Sequence, residues 1–489
     1  MLDIHPTIVK GNIAIFSYHI TDLYNCSLQL CEFPDKLKIG RVNPAYKSGP
    51  LDCIDNYRPI SVLPLFSKIF EKLTFKRMTG FLSRFNILST CQYGFRSGRS
   101  TSQAIIKLLS CVLPAYHDKI YCVCFFLDLR KAFDTIDHGI LLQKLEHYGF
   151  RGNCYEYLKS YYQNRKQYVH ISGQDSDMMT IKTGVPQGSI LGPICFSLFI
   201  NDLPLAVEVD TVLFADDAAF IIRSSSLEDL NLKIRKLFSD LSSYLNNNRL
   251  IANSTKSKLM MFSSRPPQNL PEFIFADSVI EWVDEFKYLG LTITNKLCFS
   301  KHITRVSLNI SRVTGMFINL RSVVPSEILF KIYYALAYPH LINHVVLWGS
   351  APACHLRILN VRLNNLLRVI LGIRWVNGRP TTSTNLMYKQ NNLLKTESIY
   401  KYCLFKLLKQ LLNGNFPELF NLLLEPHLSL QNYDTRNGIF RHPALVCEIE
   451  RRALPHQLVS LYENVPAEFF NQNTNAAFRN FKKHLLNSQ

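Results

Sequence analysis

The chain has 489 residues, 47% of them hydrophobic and 19% charged, with 55 Lys and Arg against 37 Asp and Glu for a net charge of +18. That composition supplies a sizeable core and excludes a generally disordered chain. The charge surplus points to a polyanionic partner, nucleic acid or an anionic membrane surface, with a merely basic enzyme as the plain alternative.

The opening MLDIHPTIVK lacks a basic stretch followed by an apolar one, so no secretory signal is expected. Residues 36–120 alternate turn signals (Asn43-Pro44, Ser48-Gly49-Pro50, Gly94, Gly98) with a basic helical pattern over 67–82. Residues 120–128, IYCVCFFLD, form an apolar run that reads as a buried strand ending in an acid, and 138–163 reads as helical. A hairpin is expected around Ser172-Gly173-Gln174, a second strand in TVLFADDAAFII at 211–222, a helix at 227–249, and strands at 258–262 and 286–293. The pattern is α+β, with hairpins and helices packed on one face. Beyond about residue 296 the chain becomes basic and helical: 301–375 holds nine Lys or Arg against one acid, Glu327. Residues 376–400, rich in Asn and Thr, read as a linker or loop, and the remainder as helices with loops at 413–417 and 433–438.

Two uncharged stretches, 183–201 and 332–356, are interrupted by Pro186, Gly188, Gly192 and Pro193 and by Pro339, His340 and His344, which argues against membrane spans and for a soluble protein. Thirteen scattered cysteines show no zinc-like spacing and read as reduced thiols of a nuclear or cytoplasmic protein.

A carboxylate at the end of a buried apolar strand is costly unless it is paired or binds a metal. Asp128 is one such acid, and Asp216 and Asp217 form an adjacent pair inside another apolar run, where a hairpin turn could present both at one tip. Three carboxylates brought together repel, and their natural stabiliser is a hard, oxygen-loving divalent cation. Two Mg²⁺ ions about 3.5–4 Å apart serve in-line phosphoryl displacement in polymerases.

At these residues the chain resembles a family. F-L-D-L-R-K-A-F-D at 126–134 and F-A-D-D at 214–217 resemble motifs A and C of reverse transcriptases, most nearly those of non-LTR, LINE-like retrotransposons of the jockey sort. N-Y-R-P-I-S at 56–61 and Q-Y-G-F-R-S-G-R-S-T at 92–101 resemble the fingers motifs, T-G-V-P-Q-G-S-I-L-G-P at 183–193 motif B, K-S-K at 256–258 motif D, and F-K-Y-L-G at 286–290 motif E. Y-P-H-L at 338–341, W-G at 348–349 and Y-D-T-R-N at 433–437 are similar to the group's thumb and later segments.

The resemblance implies a right-hand polymerase. It would have a truncated N-terminal segment (1–39), fingers (40–120), a palm (121–295), a helical thumb (296–375) and a helical C-terminal extension (376–489). It implies an RNA-directed DNA polymerase that takes an RNA template, a DNA primer or target and dNTPs, without a membrane partner, through two Mg²⁺ or alternatively Mn²⁺. Asp128, Asp216 and Asp217 would bind metal, and Lys256 would act as general acid toward pyrophosphate or stabilise its charge. Arg96, Arg99 and Lys68 would meet the triphosphate, and Leu129 could lend its carbonyl. Phe133 would exclude a ribose 2′-hydroxyl, while Gln187 and Gly188 approach the nucleotide. Tyr288, Leu289 and Gly290 would support the primer, and Arg305, Arg312, Arg321 and Arg368 would grip an RNA–DNA hybrid through its phosphates. Asp134 is expected to be structural. Full-length elements of this kind carry an endonuclease ahead of the polymerase, and none fits in the residues before Asn43, so a fragment of an element is expected. The alternatives are an inactive remnant that keeps only the fold and nucleic-acid binding, or a related maturase or RNA-making polymerase.

Overall fold

The computed structural model describes residues 4–373, 375–376, 379–428, 440 and 448–488. The expected loop 433–438, with its Y-D-T-R-N motif, lies outside them. The fold is a mixed α/β architecture followed by a helical region, consistent with a reverse-transcriptase-like fold.

The strand Tyr121–Leu127 organises the centre. Its side chains show no polar alternation, so neither face can meet water. Cys122, Cys124 and Phe126 enter one core and Val123, Phe125 and Leu127 another, each at most 3% exposed. Helices therefore cover both faces, which corrects the one-faced expectation. Thr101–His117 and the C-terminal helices lie on the first side, and Leu191–Phe199 and Leu227–Asn247 on the second. Tyr121–Leu127 pairs antiparallel with Lys258–Phe262 on one edge and with Asp217–Ser224 on the other. Asp210–Phe214 then closes a tight hairpin, with Phe214 opposite Asp217. Leu227–Asn247 buries Leu230, Ile234, Leu237, Leu241 and Leu245, the helical spacing of one apolar stripe, and Ser226 caps its first turn.

A second sheet was not expected. Ile39–Tyr46 pairs antiparallel with Tyr57–Val62 and parallel with Lys166–Ile171, which turns at Ser172-Gly173 into Gln174–Asp175 as the turn signal indicates. The expected 67–82 helix is Leu65–Arg84, and the expected strand at 286–293 is a hairpin, Glu285–Tyr288 with Leu291–Thr294. The 138–163 stretch is two helices, His138–His147 and Asn153–Tyr162, parted where Gly149 and Gly152 take positive φ.

In the C-terminal region Ser300–Leu320 packs along Ala353–Ile370, and Trp348 is fully buried with its indole N–H donated to the Asn343 carbonyl at 2.8 Å. The supposed linker 376–400 carries the helix Thr384–Gln390, with Met387 and Tyr388 buried, and the start of Thr396–Leu412. Thr384 and Thr396 open these helices and Asn391 closes the first, while Ser383 caps it by accepting the Leu386 N–H. Among the described residues no helix is long and apolar enough to cross a membrane, and the twelve described cysteines are all free thiols.

Candidate active site

Three chain segments deliver carboxylates to one groove. The central strand ends at Asp128, whose backbone is fastened by the 251–257 segment. Asp128 N–H donates to Ser257 Oγ at 3.1 Å, and the Asp128 carbonyl accepts the Asn253 N–H at 2.8 Å. The Asn253 amide also donates to Asp128 Oδ2 at 2.9 Å, which orients the carboxylate. On the neighbouring hairpin the turn is Ala215-Asp216, with Ala215 at φ 55°, and Asp217 opens the outgoing strand. The two acids therefore share one tip, as the sequence suggested.

Asp128, Asp216 and Asp217 line a cavity of about 930 Å³ together with Leu129, Phe133, Gln187, Gly188 and Lys256. Burial pushes the Asp216 carboxyl above its ordinary range and Asp128 adds to the push, while Arg58 and Lys47 pull the other way. Asp217 is raised to about 6, by burial first and then by the charges of Asp216 and Asp128. For both acids burial and the neighbouring carboxylates outweigh whatever favours the ionised form. Among the described residues no three His, Cys, Asp or Glu side chains converge closely enough to hold one ion as they stand. The donor set, three carboxylates of which Asp128 raises Asp216 and both raise Asp217, is nevertheless of the kind that a hard divalent cation neutralises.

The rest of the wall is built from motif-like segments. Phe133 stacks on Phe196 with ring centroids 4.6 Å apart, which fixes its ring at the cavity edge. Gln187 is not free: its amide donates to both oxygens of Asp134, at 2.9 and 3.0 Å. Asp134 itself lines the cavity, so it sits nearer the chemistry than expected. The Gln187 carbonyl accepts the Ser61 N–H at 2.7 Å, and Gly188, at φ 128°, lies so close that a Cβ there would stand 2.3 Å from the Ser61 carbonyl oxygen. Only glycine lets the 183–193 loop lie against the second sheet.

Other expected residues fall elsewhere. Arg96 donates to the Ser89 carbonyl at 2.6 Å, and Arg99 lies over the Tyr93 ring and pairs with Glu418 of the C-terminal region. Neither lines the cavity, nor does Lys68 on the first turn of Leu65–Arg84. Tyr288 and Leu289 line an adjoining cavity shared with Asp128, Asp217 and Lys256, and Gly290 completes their turn. Tyr288 is buried, with its ring 5.3 Å from that of Phe126. Arg305, Arg312 and Arg321 are exposed on or just after Ser300–Leu320, where Arg305 donates to Thr292 at 2.6 Å. Arg368 is part-buried and bonded to Asn365 and Thr384.

Four residues escaped the sequence reading. Lys47 and Arg58 reach the groove from the second sheet, and Arg58 stood unremarked inside N-Y-R-P-I-S. Asn253 precedes K-S-K without any local signal. The fourth, Gln92, is buried beneath the acid hairpin.

The sequence that builds this groove matches a known family. The model of the reverse transcriptase (RNA-dependent DNA polymerase) family matches residues 46–293, and the chain belongs to that family. Its relatives place it with the non-LTR, jockey-type reverse transcriptases. It is 29% identical over 367 residues to the probable RNA-directed DNA polymerase from transposon X-element of Drosophila melanogaster, covering 73% of this chain and 40% of that protein. Similarity is equal, 29% over 367 residues, to the RNA-directed DNA polymerase from mobile element jockey of the same species, with 72% of this chain and 40% of that protein covered. The corresponding protein from transposon BS is 28% identical over 361 residues, with 71% and 40% covered. The chain thus spans about 40% of the length of these curated relatives.

Proposed function

We propose that this chain is the polymerase part of a non-LTR retrotransposon protein and extends a DNA primer on an RNA template. The observation that carries the reading is the meeting of Asp128, Asp216 and Asp217 on one groove wall, with the pKa values of Asp216 and Asp217 raised above the ordinary carboxylate range. Membership of the family supports it. In this reading residues 40–120 serve as fingers, 121–295 as palm, 296–375 as thumb and 376–489 as extension.

Asp128, Asp216 and Asp217 would hold two Mg²⁺, or Mn²⁺, which when bound supply a more acidic primer 3′-hydroxyl and neutralise the triphosphate. Asn253 keeps the Asp128 carboxylate turned toward that position. Lys47 and Arg58, which face Asp216 from across the groove, are placed to meet triphosphate oxygens. Arg96 and Arg99, also expected at the triphosphate, are bonded to the Ser89 carbonyl and to Glu418. Lys256 would steady the departing pyrophosphate. Phe133, backed by Phe196, would crowd a 2′-hydroxyl, and Gln187, clamped by Asp134, would present its free carbonyl side to the nucleotide. Leu289 and Gly290 would support the primer, and the exposed arginines 305, 312 and 321 would follow the hybrid's phosphates.

The test is primer extension with Mg²⁺ on an RNA template carrying an annealed DNA primer, comparing the wild type with Asp216→Asn. The wild type should incorporate dNTPs and the variant should lose roughly 10²- to 10³-fold of the rate, since it removes electrostatic stabilisation at the reacting phosphate. Equal rates, or no incorporation by either, would reject the reading and favour a chain that only binds nucleic acid.

A further inference from the structure

The acid-bearing turn is held in a costly shape. Ala215 has φ 55°, a left-handed value that an L-residue with a Cβ resists, and it immediately precedes Asp216. Such a conformation persists only where the surroundings over-determine it.

The surroundings come from the segment 91–94, far from the hairpin in sequence. That segment runs alongside the hairpin's first strand. The Leu213 N–H donates to the Cys91 carbonyl at 2.9 Å, and the Tyr93 N–H donates to the Leu213 carbonyl at 2.8 Å. Between them the fully buried Gln92 turns its side chain under the tip. Its Oε1 accepts the Ala215 N–H at 3.1 Å and the Gly94 N–H at 2.7 Å. Two donors converging on one atom fix which end of the amide faces the turn. The other end, Nε2, is buried and finds no hydrogen-bond partner among the described residues. A buried amide with its nitrogen unpaired is unfavourable, and an apolar residue of that size would avoid the cost. Gly94 adds to the closeness of the fit, since a Cβ there would stand 2.3 Å from the Ala215 nitrogen.

From this geometry we infer that Gln92 is a positioning residue for catalysis: its amide oxygen holds Ala215 in the left-handed conformation and so sets where Asp216 and Asp217 stand relative to Asp128. The inference rests on the proposed metal-dependent polymerase reading. It assigns the Q-Y-G-F segment a task separate from nucleotide contact, and it makes the register of the acid pair depend on a side chain that touches neither substrate nor metal.

The experiment uses the full chain, an RNA template with an annealed DNA primer, and Gln92→Met, which keeps the volume and removes the acceptor. Velocity is measured against dNTP and against Mg²⁺, with a thermal melt alongside. Supporting groups behind metal ligands cost about 10- to 100-fold when removed, and Gln92→Met should lower kcat by about that factor and raise the Mg²⁺ concentration for half-maximal velocity several-fold. Glycine takes left-handed φ without a Cβ penalty, so adding Ala215→Gly to Gln92→Met should recover much of the lost rate. Should Gln92→Met not fold, Gln92→Asn, which withdraws the oxygen by one methylene, takes its place with the same readouts.

A wild-type kcat and Mg²⁺ requirement in the variant would overturn the inference. So would a loss that follows only the folded fraction, with no change in Mg²⁺ requirement and no recovery from Ala215→Gly. A wild type that incorporates nothing, or that Asp216→Asn equals, overturns the polymerase reading instead and takes this inference with it.

Discussion

Two tight hairpins face the groove, and each turns on two residues. In the hairpin that carries the acids only the first turn residue, Ala215, has positive φ, whereas in Glu285–Tyr288 with Leu291–Thr294 both do, Leu289 at 46° and Gly290 at 92°. Each thus places one non-glycine residue where a Cβ is unwelcome, at a cost on the order of 1–3 kcal/mol. Each is secured by a buried polar side chain from elsewhere in the chain. Gln92 bonds the amide of Ala215, and His344 bonds the carbonyl of Leu289 through Nε2 at 2.9 Å. Because a carbonyl only accepts, Nε2 carries the proton, and Nδ1 receives the Ser102 hydroxyl at 2.9 Å. His344 is itself left-handed at φ 54° and is 2% exposed. The difference is in what each turn displays. One presents charge, the other apolar bulk and backbone, so the first should fail by electrostatics and the second by packing.

The comparison can be broken most severely at the second latch. His344→Ala leaves the Leu289 carbonyl unpaired and opens a cavity, and should destabilise the chain by about 3 kcal/mol or more, read by urea denaturation. Survivors should show weakened primer affinity with an unchanged Mg²⁺ requirement. A raised Mg²⁺ requirement would mean that the two hairpins are not mechanically separate.

The acid hairpin is sharpened by pH. Asp217 is raised to about 6 in the folded chain, above its unfolded value, so its contribution to stability is full at low pH and is lost as pH rises through 6. In EDTA the wild type should therefore lose stability relative to Asp217→Asn between pH 5 and pH 7.5, and Mg²⁺ should raise the melting temperature more at pH 7.5 than at pH 5. A stability difference between the two chains that does not vary with pH would contradict the shift. The smallest effect belongs to Ser102→Ala, which removes one neutral hydrogen bond to His344 and should cost about 1 kcal/mol by the same denaturation assay.

Much of the site was legible because its cost was legible. Acids ending or interrupting fully apolar runs, Asp128 after Phe126-Leu127 and Asp216-Asp217 after Leu213-Phe214, stand out in any hydropathy reading, and ordered motifs supplied the rest. The second sheet was not. Its strands Ile39–Tyr46 and Tyr57–Val62 contain Pro44 and Pro59, which pair opposite one another and read as turn signals. Pairing between distant segments was equally hidden. The ion pair of Arg99 with Glu418 and the amide contact of Gln92 with Ala215 depend on packing that no local pattern encodes. The Q-Y-G-F-R segment is expected to touch nucleotide, and no local pattern shows that its arginine bonds Ser89 or that its glutamine lies under the turn. The linker expected at 376–400 failed on composition alone, since Asn and Thr also serve at helix ends.

The parallel register of Ile39 with Lys166 and Val42 with Val169 has a consequence for synthesis on the ribosome. The early strand gains its hairpin mate almost at once, but its other edge stays open until the 166–171 stretch has emerged. Long-range pairing of this kind closes slowly. During translation that bare edge is open to mispairing.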